Sequence, residues 1–253
     1  MDRNAGVVTG AGGDIGLAVC EELGRRKLAM LCVDQTEEGS ERAAAACRAA
    51  GGIAEPFVAD VTSESDVMAY AAQAQKLWGE AHFFFNNAGI EGAEAPLSSY
   101  PLEMWDKVIA VNLRGVYLGL RAMFPLLRHS QVARVVNTAS VAGLIATPGL
   151  GAYGASKHAV IGLTKTAAVE WAPHAIAVNA LCPGPVESGM MRRIEAGIAP
   201  DASAAKRQYE QIIPMARYAT LAEVADHAGY LLDDVPLYVT GQAMAIDGGL
   251  SIA

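Results

Sequence analysis

Aromatic residues make up only 6% of this 253-residue chain, and charged residues only 18%. The four cysteines, Cys20, Cys32, Cys47 and Cys182, lie far apart with no CxxC pair, which favours reduced, buried thiols over disulfides or metal ligands. His82, His129, His158, His174 and His227 are scattered without ligand spacing, so no metal site is expected. No apolar run reaches the roughly 18 residues that span a bilayer. The opening MDRNAGVVTGAG enters a strand without the apolar core of a signal peptide, so a soluble cytoplasmic protein is expected. Positive charge is also short: a net charge of −8 and a pI of 5.1 argue against a nucleic-acid binder, which must neutralise phosphates with clustered Lys and Arg. No like-charge block, low-complexity stretch or internal repeat interrupts the chain, and a single domain over residues 1–253 is expected.

What is present is an apolar majority of 52%, enough for a large core, arranged with a clear rhythm. Short apolar runs at 6–9, 28–33, 54–59, 82–86, 133–138, 176–182 and 243–246 read as strands. Amphipathic stretches near 15–25, 37–49, 64–78, 102–128, 152–171 and 221–232 read as helices. Strictly alternating strands and helices predict an α/β, doubly wound Rossmann fold, a parallel seven-stranded sheet with helices on both faces. Ligands of such sheets bind beyond the carboxyl ends of the strands, which is where function is sought.

The first strand runs into TGAGGDIG, residues 9–16, and then a helix. Glycines there let the backbone turn tightly and approach a pyrophosphate, whose charge is met by free N–H groups and the positive helix end. The second strand ends at Asp34, near the spacing at which a carboxylate meets a ribose 2′-hydroxyl and repels a 2′-phosphate; NAD is therefore expected over NADP. Arg25 and Arg26 fall at a helix end, where cations offset the dipole, and are not read as phosphate ligands. The third strand ends in Asp60 and Val61, the fourth in Asn86, Asn87, Ala88 and Gly89, the fifth near Ser140, and the sixth in Pro183 to Ser188.

Tyr153 and Lys157 stand four apart in a helical stretch and so share a face. An ammonium beside a phenol favours the phenolate and lowers its pKa toward working pH, which would let Tyr153 trade protons near neutrality. A lone YxxxK pair is equally an ordinary helix contact, so context decides.

Taken together these residues closely resemble the short-chain dehydrogenase/reductase family over essentially the whole chain. Thr9, Gly10 and Gly16 match its TGxxxGxG loop, Asn86-Asn87-Ala88-Gly89 its NNAG motif, and Pro183-Gly184 its PG motif. The resemblance implies a catalytic tetrad of Asn112, Ser140, Tyr153 and Lys157. It also implies NAD contacts from Gly10, Gly13, Asp14, Ile15, Gly16, Asp34, Asp60, Val61, Asn87, Ala88, Gly89, Tyr153, Lys157, Pro183, Gly184, Val186 and Ser188. In that scheme Ser140 holds the substrate oxygen and Tyr153 exchanges the alcohol proton while hydride moves to or from the nicotinamide. Lys157 tunes Tyr153 and holds ribose hydroxyls, and Asn112 fixes a relaying water.

Three positions depart from the family's pattern. Asp14 replaces the middle glycine of the loop, and the expectation is that it turns from the pyrophosphate to cap the first helix. Ser188 stands for the family's Thr and keeps a hydroxyl. AHFFF before NNAG puts aromatic bulk in the sheet. Val141, Leu144, Ile145, Pro148 and Leu150 form an expected apolar substrate wall, with Met190, Met191, Ile194 and Tyr209 on a lid-like stretch after the PG motif. Glu91 reads either as a contact to a polar substrate group or as a solvated loop carboxylate. The function expected is NAD-dependent interconversion of a small apolar cyclic or aromatic secondary alcohol and its ketone. The alternatives are a 3-oxoacyl carrier-protein reductase and a non-catalytic dinucleotide-sensing scaffold. The resemblance further implies a homotetramer.

Overall fold

The computed structural model describes residues 4–198 and 202–253. Strand and helix alternate in chain order: β1 (Ala5–Thr9), α1 (Asp14–Arg25), β2 (Ala29–Asp34), α2 (Glu37–Ala49), β3 (Ile53–Val58), α3 (Glu64–Trp78), β4 (Phe83–Asn86), α4 (Leu102–Ile109), α5 (Gly115–Leu127), β5 (Ala133–Thr138), α6 (Gly151–Trp171), β6 (Ile176–Pro183), α7 (Gly189–Ile198), α8 (Ala202–Ile212), α9 (Leu221–Gly229) and β7 (Ala243–Ile246). The strands form one seven-stranded sheet in the order β3-β2-β1-β4-β5-β6-β7, every neighbouring pair parallel. This is the doubly wound Rossmann arrangement the rhythm predicts. The strand order reverses between β1 and β4, so a crevice opens there at the carboxyl ends.

Successive strand residues face opposite sides, and each side has its own core. Val7, Leu31, Phe84, Val135 and Val178 pack with α3, α5 and α6 on one face. Val8, Cys32, Phe85, Val136 and Leu181 pack with α1, α2 and α9 on the other. Each large side chain so buried stabilises the fold by about 1.5–3 kcal/mol. The aromatic run Phe83–Phe85 is wholly inside, as its apolar character requires. Beside it in β1, a Cβ on Gly6 would lie 2.2 Å from the Phe83 carbonyl oxygen and 2.6 Å from the Phe83 ring, so the neighbouring strand can carry no side chain there.

Helix starts follow from short polar side chains. Thr36 accepts from the Gly39 N–H, Ser63 from the Asp66 N–H, and Thr220 with Glu223 forms a capping box at α9. Where periodicity predicts one helix over 102–128, there are two, joined by a π-helical segment at Ala110–Arg114. A second π segment, Tyr230–Asp234, ends the stretch predicted as helix to 232. The lid-like stretch after β6 folds as α7 and α8, which the sequence reading does not resolve into helices. Among the described residues no helix is long and apolar enough to cross a membrane.

Candidate active site

A cleft of about 780 Å³ runs along the carboxyl ends of the strands. Every residue assigned above to NAD contact lines it. Ser140, Glu91, Val141, Ile145, Pro148, Leu150, Met190, Met191, Ile194 and Tyr209 line it as well. Leu144 does not: it follows the short 3₁₀ turn Val141–Gly143 and turns outward, 37% exposed, so it is no part of the cleft wall.

The glycine loop is shaped by two backbone demands. Gly10 holds φ +60°, a left-handed conformation costly for other residues, and Gly16 has no room for a side chain because a Cβ would sit 2.1 Å from the Gly10 carbonyl oxygen. Asn87 locks this loop to β4, its amide donating to the Thr9 and Gly10 carbonyls at 3.2 Å each. The cap expected of Asp14 is not there. Gly13 is the N-cap of α1 with no side-chain bond, and Asp14 is the first helical residue. Its carboxylate instead reaches across the cleft and accepts from the Gly189 N–H at 2.5 Å.

Asp34 closes β2 with both oxygens engaged. One accepts from the Gly12 N–H at 2.9 Å, the other from the Thr36 N–H and hydroxyl at 3.1 and 3.0 Å. Beside it, Arg42 on α2 donates to the Gly12 carbonyl at 2.5 Å and lines the cleft. Arg42 was not singled out in the sequence, where it is one more cation on a polar helix face. Arg25 and Arg26 are elsewhere, paired with Glu21, Glu22 and Asp234. On the far side of the loop the Asp60 carboxylate accepts from Thr62, and Val186 sits in a bridge to Ala219. That bridge uses the Pro185 carbonyl and the Glu187 N–H, leaving the N–H and C=O of Val186 outside it.

Ser140, Tyr153 and Lys157 meet at the inner end. The Ser140 hydroxyl donates to the Pro183 carbonyl at 3.4 Å and accepts from the Ala142 N–H. Lys157 is 3% exposed, donates from Nζ to the Thr138 carbonyl at 2.7 Å, and stands 5.5 Å from the centre of the Tyr153 ring. Thr138 in turn donates its hydroxyl to Asn87, so one chain of hydrogen bonds joins the glycine loop to Lys157. Asn112 is fully buried in the π segment, behind the cleft wall. Its amide exchanges two 2.8 Å bonds with the Ile90 backbone and donates to Ser156.

The expected lowering of the Tyr153 pKa is not what the surroundings produce. Burial desolvates the phenolate and raises the pKa above the ordinary tyrosine value; the Ser140 hydrogen bond pulls it down, and the negative charge of Glu91 pushes it further up. Burial also acts on Lys157, bringing its pKa down to about 8, so the ammonium is itself weakened as a source of charge.

Glu91 is neither free nor solvated. Its side chain is 14% exposed and forms a two-pronged ion pair with Arg193 of α7, a residue the sequence offered no signal to select. Ser188 accepts from the Met191 N–H and so caps α7. Among the described residues no three His, Cys, Asp or Glu side chains converge as metal ligands.

The arrangement suits an extended dinucleotide. Glycine-loop backbone and a positive helix end lie at one side of a long cleft, a carboxylate at its outer end, and the Ser140, Tyr153 and Lys157 cluster at its inner end.

Comparison with known proteins supports the same direction. A family model described as enoyl-(acyl carrier protein) reductase matches residues 10–251. The chain is 36% identical over 250 residues to levodione reductase of Leifsonia aquatica, covering 98% of this chain and 94% of that protein. It is 36% identical to 2,5-dichloro-2,5-cyclohexadiene-1,4-diol dehydrogenase of Sphingobium indicum, covering 97% and 96%. The crystal structure of levodione reductase superposes with a TM-score of 0.96 at 35% identity, covering 99% of this chain and 98% of that one. The structure of an NAD+-bound xylitol dehydrogenase superposes with a TM-score of 0.94 at 36% identity, covering 97% and 98%.

Proposed function

The chain belongs to the short-chain dehydrogenase/reductase family of oxidoreductases, and on that premise we propose that it interconverts a small cyclic secondary alcohol and its ketone with NAD(H). The observation that carries this reading is the convergence of Ser140, Tyr153 and Lys157 at one end of a cleft whose other end is closed by Asp34. The nicotinamide dinucleotide supplies the hydride acceptor or donor. Everything else is the chain's work.

The loop from Gly10 to Gly16 and the α1 N-terminus would hold the pyrophosphate, Asp34 would take the adenosine ribose, and Asp60 and Val61 would border the adenine. Lys157 and Tyr153 would hold the nicotinamide ribose, and the Val186 backbone groups left outside the Ala219 bridge would meet the carboxamide. Ser140 hydrogen-bonds the substrate oxygen. Tyr153 removes the alcohol proton in oxidation and returns it in reduction; the Ser140 hydrogen bond works against the burial that raises its pKa. Asn112, locked to Ile90, holds the π segment and the proton route behind Lys157 in place.

The substrate end is walled by Val141, Ile145, Pro148, Leu150, Met190 and Met191, which suits an apolar ring. Two relatives are named for a dione and for a cyclohexadienediol, in keeping with that shape. The exposed Tyr117 on α5 and Val169 on α6 are apolar side chains a homotetramer would cover, which light scattering on a sizing column tests.

A second reading is reduction of a carrier-borne ketone with NADPH. Arg42 favours it, as a guanidinium lining the cleft beside Asp34 where a 2′-phosphate would lie. One experiment separates the readings: protein is mixed with NAD or NADP and a panel of cyclic, aromatic and aliphatic secondary alcohols, and absorbance of reduced dinucleotide is followed. Turnover with NAD on cyclic alcohols is expected. Turnover confined to NADP would remove the NAD assignment, and silence across the panel would favour a dinucleotide-binding scaffold.

A further inference from the structure

Helix α7 carries Met190, Met191 and Ile194, three residues of the substrate wall. It is reached from β6 through the Pro183–Ser188 segment, and two carboxylates from the opposite side of the cleft fasten it. Glu91 pairs with Arg193 one turn into the helix. Asp14 accepts from the N–H of Gly189, the first residue of the helix and 175 positions away in sequence. That N–H is one of the four that an α-helix leaves without an internal partner, and the charge of Asp14 lies at the positive end of the α7 dipole as well as at that of α1. Gly189 lets the carboxylate come close, since a Cβ there would stand 3.2 Å from the Asp14 oxygen, tighter than an ordinary contact.

We infer that Asp14 is a positioning residue for the substrate end of the cleft: it straps the N-terminus of α7 to the glycine loop and thereby sets where Met190, Met191 and Ile194 stand. The residue that departs from the family's loop pattern is thus assigned to the lid. Its carboxylate is committed to Gly189, which is why it is tolerated where a pyrophosphate must lie. The strap couples the two halves of the cleft through one side chain. It rests on the dehydrogenase reading for the identity of the substrate, and on geometry alone for the contact.

The test uses the full chain carrying Asp14→Ala, Asp14→Gly or Asp14→Asn, the last keeping an oxygen acceptor. Hydrogen–deuterium exchange over residues 189–198 is expected to speed up about five- to tenfold in the Ala and Gly variants, the size of a lost helix cap, and to return toward wild type in Asn. With an alcohol found active in the panel, KM is expected to rise by a similar factor in Ala and Gly, with rescue in Asn. Unchanged exchange in the Ala variant would overturn the strap. So would an Asn variant as impaired as Ala. If no alcohol is turned over, the dehydrogenase reading fails while the exchange data still decide the strap.

Discussion

The Lys157 ammonium stands 5.5 Å from the centre of the Tyr153 ring while donating its 2.7 Å hydrogen bond to the Thr138 carbonyl instead. The lysine is therefore anchored to β5 and stands over the Tyr153 ring. Both groups are desolvated, so each resists its charged form: the phenol is shifted up and the ammonium down.

That shift makes folding stability depend on pH. Lys157 titrates at about 8 in the folded chain and near 10.4 when unfolded, so between those values the unfolded chain holds the extra proton and stability rises with pH. Below pH 8 the cost of keeping the buried group charged stands in full, about 3 kcal/mol. The stability of the wild type relative to Lys157→Met should therefore improve between pH 8 and 10.5, read from urea unfolding at each pH. A flat difference would show that burial does not depress this lysine.

Replacing Tyr153 by Phe removes the proton donor and acceptor and leaves the ring. Turnover should fall by about 10²–10⁴ or more, far beyond any change in the dinucleotide dissociation constant read in a titration calorimeter. Near-normal turnover would reassign the proton transfer.

Glu91 raises the Tyr153 pKa through its negative charge. Neutralising it as Glu91→Gln should move the acid limb of the kcat/KM profile for alcohol oxidation to lower pH, because the phenolate then forms more readily. A limb that stays in place or moves up would mean that Glu91 does not act on Tyr153. The same variant loosens Arg193, which the lid exchange experiment reads separately.

Asp34→Ala takes away a carboxylate that would face a 2′-phosphate. The ratio of NADP to NAD affinity should rise at least about tenfold, the effect of one hydrogen bond to a charged group plus lost repulsion. Because Asp34 also holds the Gly12 and Thr36 N–H groups, some loss of thermal stability should accompany it. An unchanged ratio would transfer cofactor choice to Arg42.

Much of this molecule was legible from local pattern. Helices at 37–49 and 64–78 and strands at 133–138 and 243–246 have the predicted bounds, because apolar periodicity and Thr or Ser caps act over a few residues. The cleft lining was legible for a related reason: in a parallel sheet every strand ends on the same side, so motifs at strand ends must meet. The π turn that carries Asn112 was not, since shifting a backbone bond from i−4 to i−5 leaves hydropathy unchanged. Nor were α7 and α8, read only as a lid-like stretch although apolar residues at 190, 191, 194 and 198 keep a helical spacing.

By itself the chain's order of residues determined the doubly wound sheet, the glycine loop and the residues grouped around Ser140, Tyr153 and Lys157, because each rests on spacing within one element or on the common direction of the strands. Only the tertiary structure decided which partners the charges take: Asp14 to Gly189, Glu91 to Arg193, Lys157 to Thr138. It also decided that burial lifts the Tyr153 pKa where helical spacing had suggested a fall. Desolvation and long-range pairing depend on what folds over a residue, and no sequence interval encodes that.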